Sequence, residues 1–547
     1  MRPQMSEAAG ALEQRSQRRT GRARVLVKER IAEAGLQLLR EQFDVDVELD
    51  MDAAELGDRI ADYDALIVRS ATQVDAGLLR RAERLKVVGR AGTGVDNVDV
   101  AEATRRGVIV ANAPGSNMVS AAEHAVGLLL AVARNIAQAH AALTDGRWER
   151  SQFAGVELCG KTLGVLGFGR IGQLVAARAR GLGMNVIAHD PFVTPERFRE
   201  AHVGHCTLEE VLAQADFITL HAPLTGETRH LIREETIAQM RPGVRIVNAA
   251  RGDLVDLQAL VEALKDGRVG AAALDVFPTE PYTDGELLSL PNVVVTPHLG
   301  ASTQEAQDRA GVIVAEQVVA ALAGSLVSNA VNIPQVRMED QKMLGPFLPL
   351  AAKLGRMAAG LSGGGFDRIE VTYSGALAEY DTRLLTSAVL SGAFRGHIDE
   401  HVNLVNARSV ADNMGIRVVE SAEPTAGDFT NLLTVATVPG EAVSGTTIGN
   451  DNRPWLVGIA PYQVEIELDA HMLVMLNDDR PGMIGVVGTL LGQEGANIAN
   501  MNVSRNVRGE LAVMVLSVDT PPEPTVLDRL RSEPGIKSVR LVSLSGV

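Results

Sequence analysis

Cysteine is nearly absent: Cys159 and Cys206 are the only two in 547 residues. Two cysteines supply neither a disulfide framework nor the paired CxxC ligands of a zinc site, and they fit a reducing, cytoplasmic setting. Long apolar runs are missing too, since none approaches the ~20 residues that a membrane-spanning helix needs. There is no excess of positive charge. Acidic side chains number 68 against 52 basic ones, a formal charge of −16, which argues against nucleic acid or an anionic membrane as the main partner. The first residues lack the apolar core of a secretory signal, and their polar, Arg-rich character predicts a disordered tail over 1–23. No lysine follows the glycines of LSGGGF (361–366) at Walker spacing, so that stretch reads as a flexible turn. What remains is a soluble, globular composition, 46% apolar and 22% charged, long enough for roughly three or four domains.

The chain is organised around Lys161–Asp190. Thr162 to Leu166 is a short apolar run that reads as a buried strand, and a helical pattern follows the glycines through Leu182. Gly167, Gly169 and Gly172 fall in the GxGxxG spacing. Gly167 permits the tight turn, Gly169 lets a pyrophosphate approach the backbone, and Gly172 lets helix and strand pack closely. The phosphates would meet free amides at the positive end of the helix. A second apolar run ends at Asp190, 18 residues past the last glycine. An acid there binds both ribose hydroxyls and repels a 2′-phosphate, so the predicted cofactor is NAD rather than NADP.

Strand and helix patterns alternate from Arg24 onward. The first unit reads as a strand at RVLVKE, a helix over Ile31–Phe43, and strands at Ala65–Thr72, Leu85–Gly89 and GVIVANAPG. A long helix is expected over Asn117–Ala139. Further strands at Asp216–Leu220, Arg245–Asn248, Ala271–Asp275 and Val293–Thr296 complete a doubly wound parallel sheet. Ser302–Ala323 reads as one more helix, returning the chain to the first unit, and Ser328–Pro334 as a linker. Residues 335–461 read as a separate α+β domain without a catalytic constellation. From His471 the order strand, helix, strand, strand, helix, strand describes a ferredoxin-like βαββαβ sandwich.

Three polar residues lie just past strand ends of the nucleotide domain: Arg251 in NAARG, Glu280 in DVFPTEP and His298 in TPHLG. The carboxyl ends of strands are where open α/β sheets bind ligands. Hydride transfer from a 2-hydroxy acid needs a cation forked onto the carboxylate, which Arg251 offers. It needs a base near neutral pKa for the hydroxyl proton, for which His298 is suited. It needs a carboxylate to orient and charge that imidazole, the part for Glu280.

On the motifs VRSAT, VGRAGTGVDNVD, SAAEHA, GFGRIG, VNAARG, LDVFPTEP and TPHLGAST, the chain from Arg24 to Val547 resembles the D-isomer-specific 2-hydroxyacid dehydrogenases. It is most similar to their long members, which carry an intervening domain and an ACT domain. The resemblance implies a flavodoxin-like substrate-binding domain (24–113 and 300–332) split by the Rossmann-type NAD domain (114–299), then an intervening domain (335–461) and a regulatory ACT domain (470–547). By motif it assigns Arg251, Glu280 and His298 to catalysis. Thr93, Gly167, Gly169, Arg170, Ile171, Gly172, Asp190, Ala249, Ala250, Asp275 and Gly300, together with Arg251 and His298, are assigned to the cofactor. Arg69, Arg90 and Asn117 are assigned to the substrate, and Arg150 to the phosphate held by a neighbouring subunit. It further implies NAD-dependent oxidation of 3-phospho-D-glycerate, no metal, a homo-oligomer (dimer or tetramer), and L-serine as effector held by Asp479 and Asn497. Asn477 departs from the pattern, because some long relatives carry an aromatic residue there. Two alternatives remain: a dehydrogenase of another D-2-hydroxy acid, such as glycerate or 2-hydroxyglutarate, and a co-repressor-like NAD sensor without catalysis. Cations beyond the single carboxylate clamp, Arg69, Arg90 and Arg150, favour the phosphorylated substrate, and the terminal amino-acid-binding module speaks against the co-repressor.

Overall fold

A computed structural model describes residues 21–545 apart from 335, 338–339, 364, 396–397 and 399–401. The tail expected over 1–23 therefore lies, up to residue 20, outside the described residues. Among the described residues the strands form four sheets.

The first sheet contains β1 (Arg24–Val27), β2 (Asp44–Val47), β3 (Ala65–Val68), β4 (Val87–Arg90) and β5 (Ile109–Ala111) in the order β2-β1-β3-β4-β5, all parallel. That is the flavodoxin-like order. The second contains β6 (Thr162–Leu166), β7 (Asn185–His189), β8 (Gly204–His205), β9 (Phe217–Leu220), β10 (Val244–Asn248), β11 (Val269–Leu274) and β12 (Val293–Val295), ordered β12-β11-β10-β9-β6-β7-β8 and again parallel. Strand order reverses between β6 and β9, and a ligand is expected outside the carboxyl ends at that switch point. Helices cover both faces of such sheets, so β3 and β9 are buried at every residue and read as continuous apolar runs rather than alternating ones.

Helix α1 (Glu33–Gln42) covers the first sheet and packs against the returning helix at Gln304–Leu322, as the sequence suggested. Two local expectations are corrected. The helix expected over Asn117–Ala139 is two: α2 (Met118–Arg134) and α3 (Ile136–Thr144), bent by 65°. Asn135 between them takes a left-handed conformation (φ 53°) that asparagine tolerates better than most residues. The strand expected over Ala65–Thr72 ends at Val68, because the amides of the next residues turn to a side-chain carboxylate. The presumed linker 328–334 is also more than a tether: Val331 N donates to Val110 O, and Asn332 Oδ1 accepts from Val110 N, beside β5.

The third sheet is mixed: β13 (Arg368–Gly375), β14 (Arg417–Glu423), β15 (Asn431–Val438), β16 (Ala442–Ile448), β17 (Arg453–Ile459) and β18 (Tyr462–Glu467), ordered β14-β13-β15-β16-β17-β18. Strand β18 pairs with β17, so the boundary drawn at 461 falls inside a hairpin and the unit runs on to Glu467. The fourth sheet, β19 (His471–Asp478), β20 (Ile498–Arg505), β21 (Leu511–Val518) and β22 (Ile536–Ser543), is antiparallel in the order β20-β21-β19-β22. With helices at Met483–Gln493 and Pro524–Ser532 it forms the expected βαββαβ sandwich. Its two faces divide by strand alternation. Leu473 and Met475 pack under those helices, whereas Met472 and Val474 join the core of the third unit around Leu350, Leu354 and Met357. Lys353 Nζ donates to Leu468 O, and Arg356 Nε to Ser543 O, across the same seam. No single helix among the described residues is long and apolar enough to cross a membrane.

Candidate active site

The glycine loop is built as its spacing requires. Gly167 sits at φ +95°, and a Cβ there would lie 2.5 Å from Ala222 N. A Cβ on Gly172 would lie 2.2 Å from Gly167 O, so helix and strand can approach only without it. Gly169 faces open space within 4 Å and caps the helix Arg170–Gly181 without any side-chain hydrogen bond, leaving the first-turn amides for an anion. Arg170 and Ile171 open that helix, with the Arg170 guanidinium beside Gly115. Asp190 follows β7, and its carboxylate accepts from Phe168 N at 2.8 Å and Phe192 N at 2.9 Å. Those amides fix the acid beside the glycine loop while each oxygen keeps acceptor capacity for a ribose hydroxyl. This cradle fits a dinucleotide. His221, after β9, was not picked out from the sequence. Burial pushes its imidazole down to about 4, and its Nε2 lies 2.9 Å from Thr219 Oγ1.

The expected catalytic groups occupy the carboxyl ends of β10, β11 and β12. His298 Nδ1 lies 2.7 Å from Glu280 Oε2, and Glu280 Oε1 accepts from Phe277 N at 3.1 Å. With Nδ1–H directed at the carboxylate, Nε2 is left to exchange a proton. His298 is about half exposed and left-handed at φ 55°, a conformation that persists only when its surroundings impose it. Asp275 imposes it. Its main-chain oxygen accepts from His298 N at 2.9 Å. Its buried carboxylate accepts from Thr296 Oγ1 at 2.5 Å, Leu299 N at 2.7 Å and Gly300 N at 2.9 Å, with His124 Nε2 at 3.1 Å. Burial would raise this carboxyl, but the bonds from His124, Thr296 and Leu299 outweigh it and hold it below the usual range. Expected as cofactor contacts, Asp275 and Gly300 are thus bonded to each other, and the Asp275 side chain, 1% exposed, anchors the histidine loop. His124 reaches this network across 172 residues of sequence, and nothing local in SAAEHA marks it.

Arg251 follows β10, held by Asn248, whose amide donates to Arg251 O and whose Oδ1 accepts from Ala250 N. Ala249 and Ala250 complete that turn. The Arg251 guanidinium donates to Ala250 O and lies 3.5 Å from Asp96 across the cleft. Arg90 ends β4 and stands among the charges of Asp96, Arg251, Glu29 and Arg69; burial lowers its affinity for its proton, Asp96 opposing. Its Nε is buried without a partner among the described residues. Thr93 Oγ1 donates to Asn117 Oδ1 at 2.8 Å, so these two predicted contacts are adjacent. Arg150 lies in an exposed turn at 150–153, without an ion pair among the described residues.

The two expected regulatory residues do not meet within one chain. Asp479 follows β19 and accepts from Gly509 N at 2.8 Å and Arg505 at 3.1 Å. These bonds hold its carboxyl below the usual range, the Gly509 amide first. Asn497 precedes β20, which runs parallel to β19 two places away, and donates to Asp519. The helix between β19 and β20 carries the chain to the opposite end of the sheet, so Asn497 lies a strand length from Asp479. Asn477, buried, bonds Asp478 O and leaves its Oδ1 without a partner among the described residues.

Comparison with known proteins agrees with this layout. Residues 126–300 match the D-isomer specific 2-hydroxyacid dehydrogenase NAD binding domain, 343–460 the D-3-phosphoglycerate dehydrogenase intervening domain, and 471–535 the ACT domain. The chain is 44% identical over 528 residues to D-3-phosphoglycerate dehydrogenase of Archaeoglobus fulgidus, covering 95% of this chain and 100% of that one. It is 40% identical over 525 residues to the Bacillus subtilis protein of the same name, covering 95% and 99%. Among solved structures, the TT0316 protein from Thermus thermophilus superposes with a TM-score of 0.51 at 38% identity, over 56% of this chain and 99% of that one.

Proposed function

The chain belongs to the D-3-phosphoglycerate dehydrogenase family, and on that premise we propose that it oxidises 3-phospho-D-glycerate to 3-phosphohydroxypyruvate with NAD, at the head of serine synthesis. It is an NAD-dependent oxidoreductase. The observation that carries the reading is the His298–Glu280 hydrogen bond at 2.7 Å, on the same set of strand ends as Arg251, which in turn stands with Arg69 among the charges around Arg90. Bound at the glycine loop and Asp190, the cofactor supplies the hydride acceptor. Arg251 forks onto the substrate carboxylate and orients C2. His298 Nε2 takes the proton from the C2 hydroxyl, and Glu280 stabilises the imidazolium that results. A lone carboxylate needs one clamp; the further cations Arg69 and Arg90 suit a phosphate.

Asp190→Ala is expected to weaken NAD and to relax discrimination against NADP, because the repulsion of a 2′-phosphate is lost. Michaelis constants for both cofactors check this; a wild type already preferring NADP would refute the assignment.

The same reading makes the protein a homo-oligomer. Ile136, Leu143 and Trp148 are 53%, 56% and 77% exposed near Arg150, an apolar strip of the kind that second copies cover. A second copy on these residues would lie close in sequence to Arg150, as the assignment of Arg150 to a neighbouring subunit's phosphate requires. For the ACT domain we propose L-serine as effector, lying between two copies, since only then can Asp479 of one chain and Asn497 of another share a ligand. Serine titration should inhibit the wild type and inhibit Asp479→Ala much less. Insensitivity of the wild type up to millimolar serine would remove the proposal.

A further inference from the structure

The turn after β3 is held from both sides by residues that no motif assigns. Glu29 follows β1, and its Oε1 accepts from Arg69 N at 2.9 Å and Thr72 N at 3.0 Å, its Oε2 from Ala71 N at 3.3 Å. One carboxylate therefore collects three backbone donors from a loop 40 residues downstream, in the manner of an anion in a nest of amides. On the opposite side the Asn97 amide donates to Arg69 O at 2.8 Å and to Thr72 O at 2.6 Å. Asn97 is 8% exposed. With its amides on Glu29 and its carbonyls on Asn97, the loop leaves strand geometry at Val68. The Ser70 N–H and the Arg69 guanidinium have no protein hydrogen-bond partner among the described residues.

We propose that Glu29 is a positioning residue for the substrate anion: with Asn97 it fixes the Arg69–Thr72 loop so that the Ser70 amide and the Arg69 guanidinium are presented together. The proposal rests on the reading of Arg69 as a substrate contact. Charge-assisted bonds from amides to a carboxylate are roughly twice as strong as neutral ones. A glutamine at 29 accepts through one oxygen only, and its NH2 group faces a backbone N–H. The loop then loses a fixed shape while the surrounding sheet keeps its core. Glu29 also stands near Arg90, so its charge tempers a cluster of cations that would otherwise face one another.

The test is Glu29→Gln in the full-length protein, with two readouts. Steady-state kinetics on 3-phospho-D-glycerate should show a Michaelis constant raised about tenfold, with that for NAD and the melting midpoint little changed. Hydrogen exchange at the Arg69, Ala71 and Thr72 amides, measured without ligands, should speed up. Asn97→Ala releases the same loop from its carbonyl side and should give the same selective pattern, which covers the case in which the first variant folds poorly. An unchanged Michaelis constant despite faster exchange would overturn the proposal, as would a raised constant with unchanged exchange, which would make Glu29 a matter of charge alone. Failure of the functional reading looks different: the wild type would not turn over the phosphorylated substrate, whereas loop exchange would still respond.

Discussion

Replacing His298 with alanine lowers turnover by about 10²–10⁴-fold and leaves NAD affinity nearly intact, the range that loss of a general base produces. The geometry separates the two effects. His298 is exposed at a strand end and bonded to Glu280, whereas the dinucleotide cradle is formed by Gly167–Gly172 and Asp190 on other strand ends. The loop that carries His298 is pinned by main-chain bonds to Asp275, so truncating the imidazole does not unfasten it. Turnover by NADH absorbance and NAD binding by fluorescence titration check both halves, and a variant that keeps most of its turnover refutes the base assignment. Glu280→Gln acts more mildly. Oxidation requires a neutral imidazole, and removing the anion at 2.7 Å disfavours the imidazolium. Turnover of this variant is therefore expected to fall, but by less than that of His298→Ala.

Arg90→Ala raises the Michaelis constant for the phosphorylated substrate by about tenfold to a hundredfold and that for D-glycerate far less. Losing a charged hydrogen-bond partner costs roughly 1.5–3 kcal/mol, which is that range. Arg90 is well suited to show it. Burial penalises its charge, Arg69 and Arg251 add like charge, and its Nε has no protein partner among the described residues. An arriving anion relieves all three at once. Equal losses on both substrates would place Arg90 at the carboxylate or in the fold instead.

The parts of this molecule that were legible in the sequence are those fixed by local pattern. Buried parallel strands read as apolar runs, the glycines announced the cradle, and Arg251, Glu280 and His298 stood out because each follows a strand of one sheet. The illegible parts depend on partners distant in sequence. Val68 ends its strand because Glu29 claims the next amides, although RSAT continues the run plausibly. His124 takes its role only from Asp275 and Thr296, brought to it by the fold. Strand β18 lies past the boundary at 461, and its place in the third unit is set by its pairing with β17. Asp479 and Asn497 looked like one site because the order of elements does not say at which end of the sheet each strand starts.

Oxidation of 3-phospho-D-glycerate with NAD is tested most directly by a substrate panel on the purified protein at alkaline pH. NADH should form rapidly with 3-phospho-D-glycerate and NAD, and far more slowly with D-glycerate, D-lactate or D-2-hydroxyglutarate; replacing NAD by NADP should likewise slow the reaction. A higher kcat/KM on any unphosphorylated 2-hydroxy acid, or no NADH from 3-phospho-D-glycerate, would contradict it.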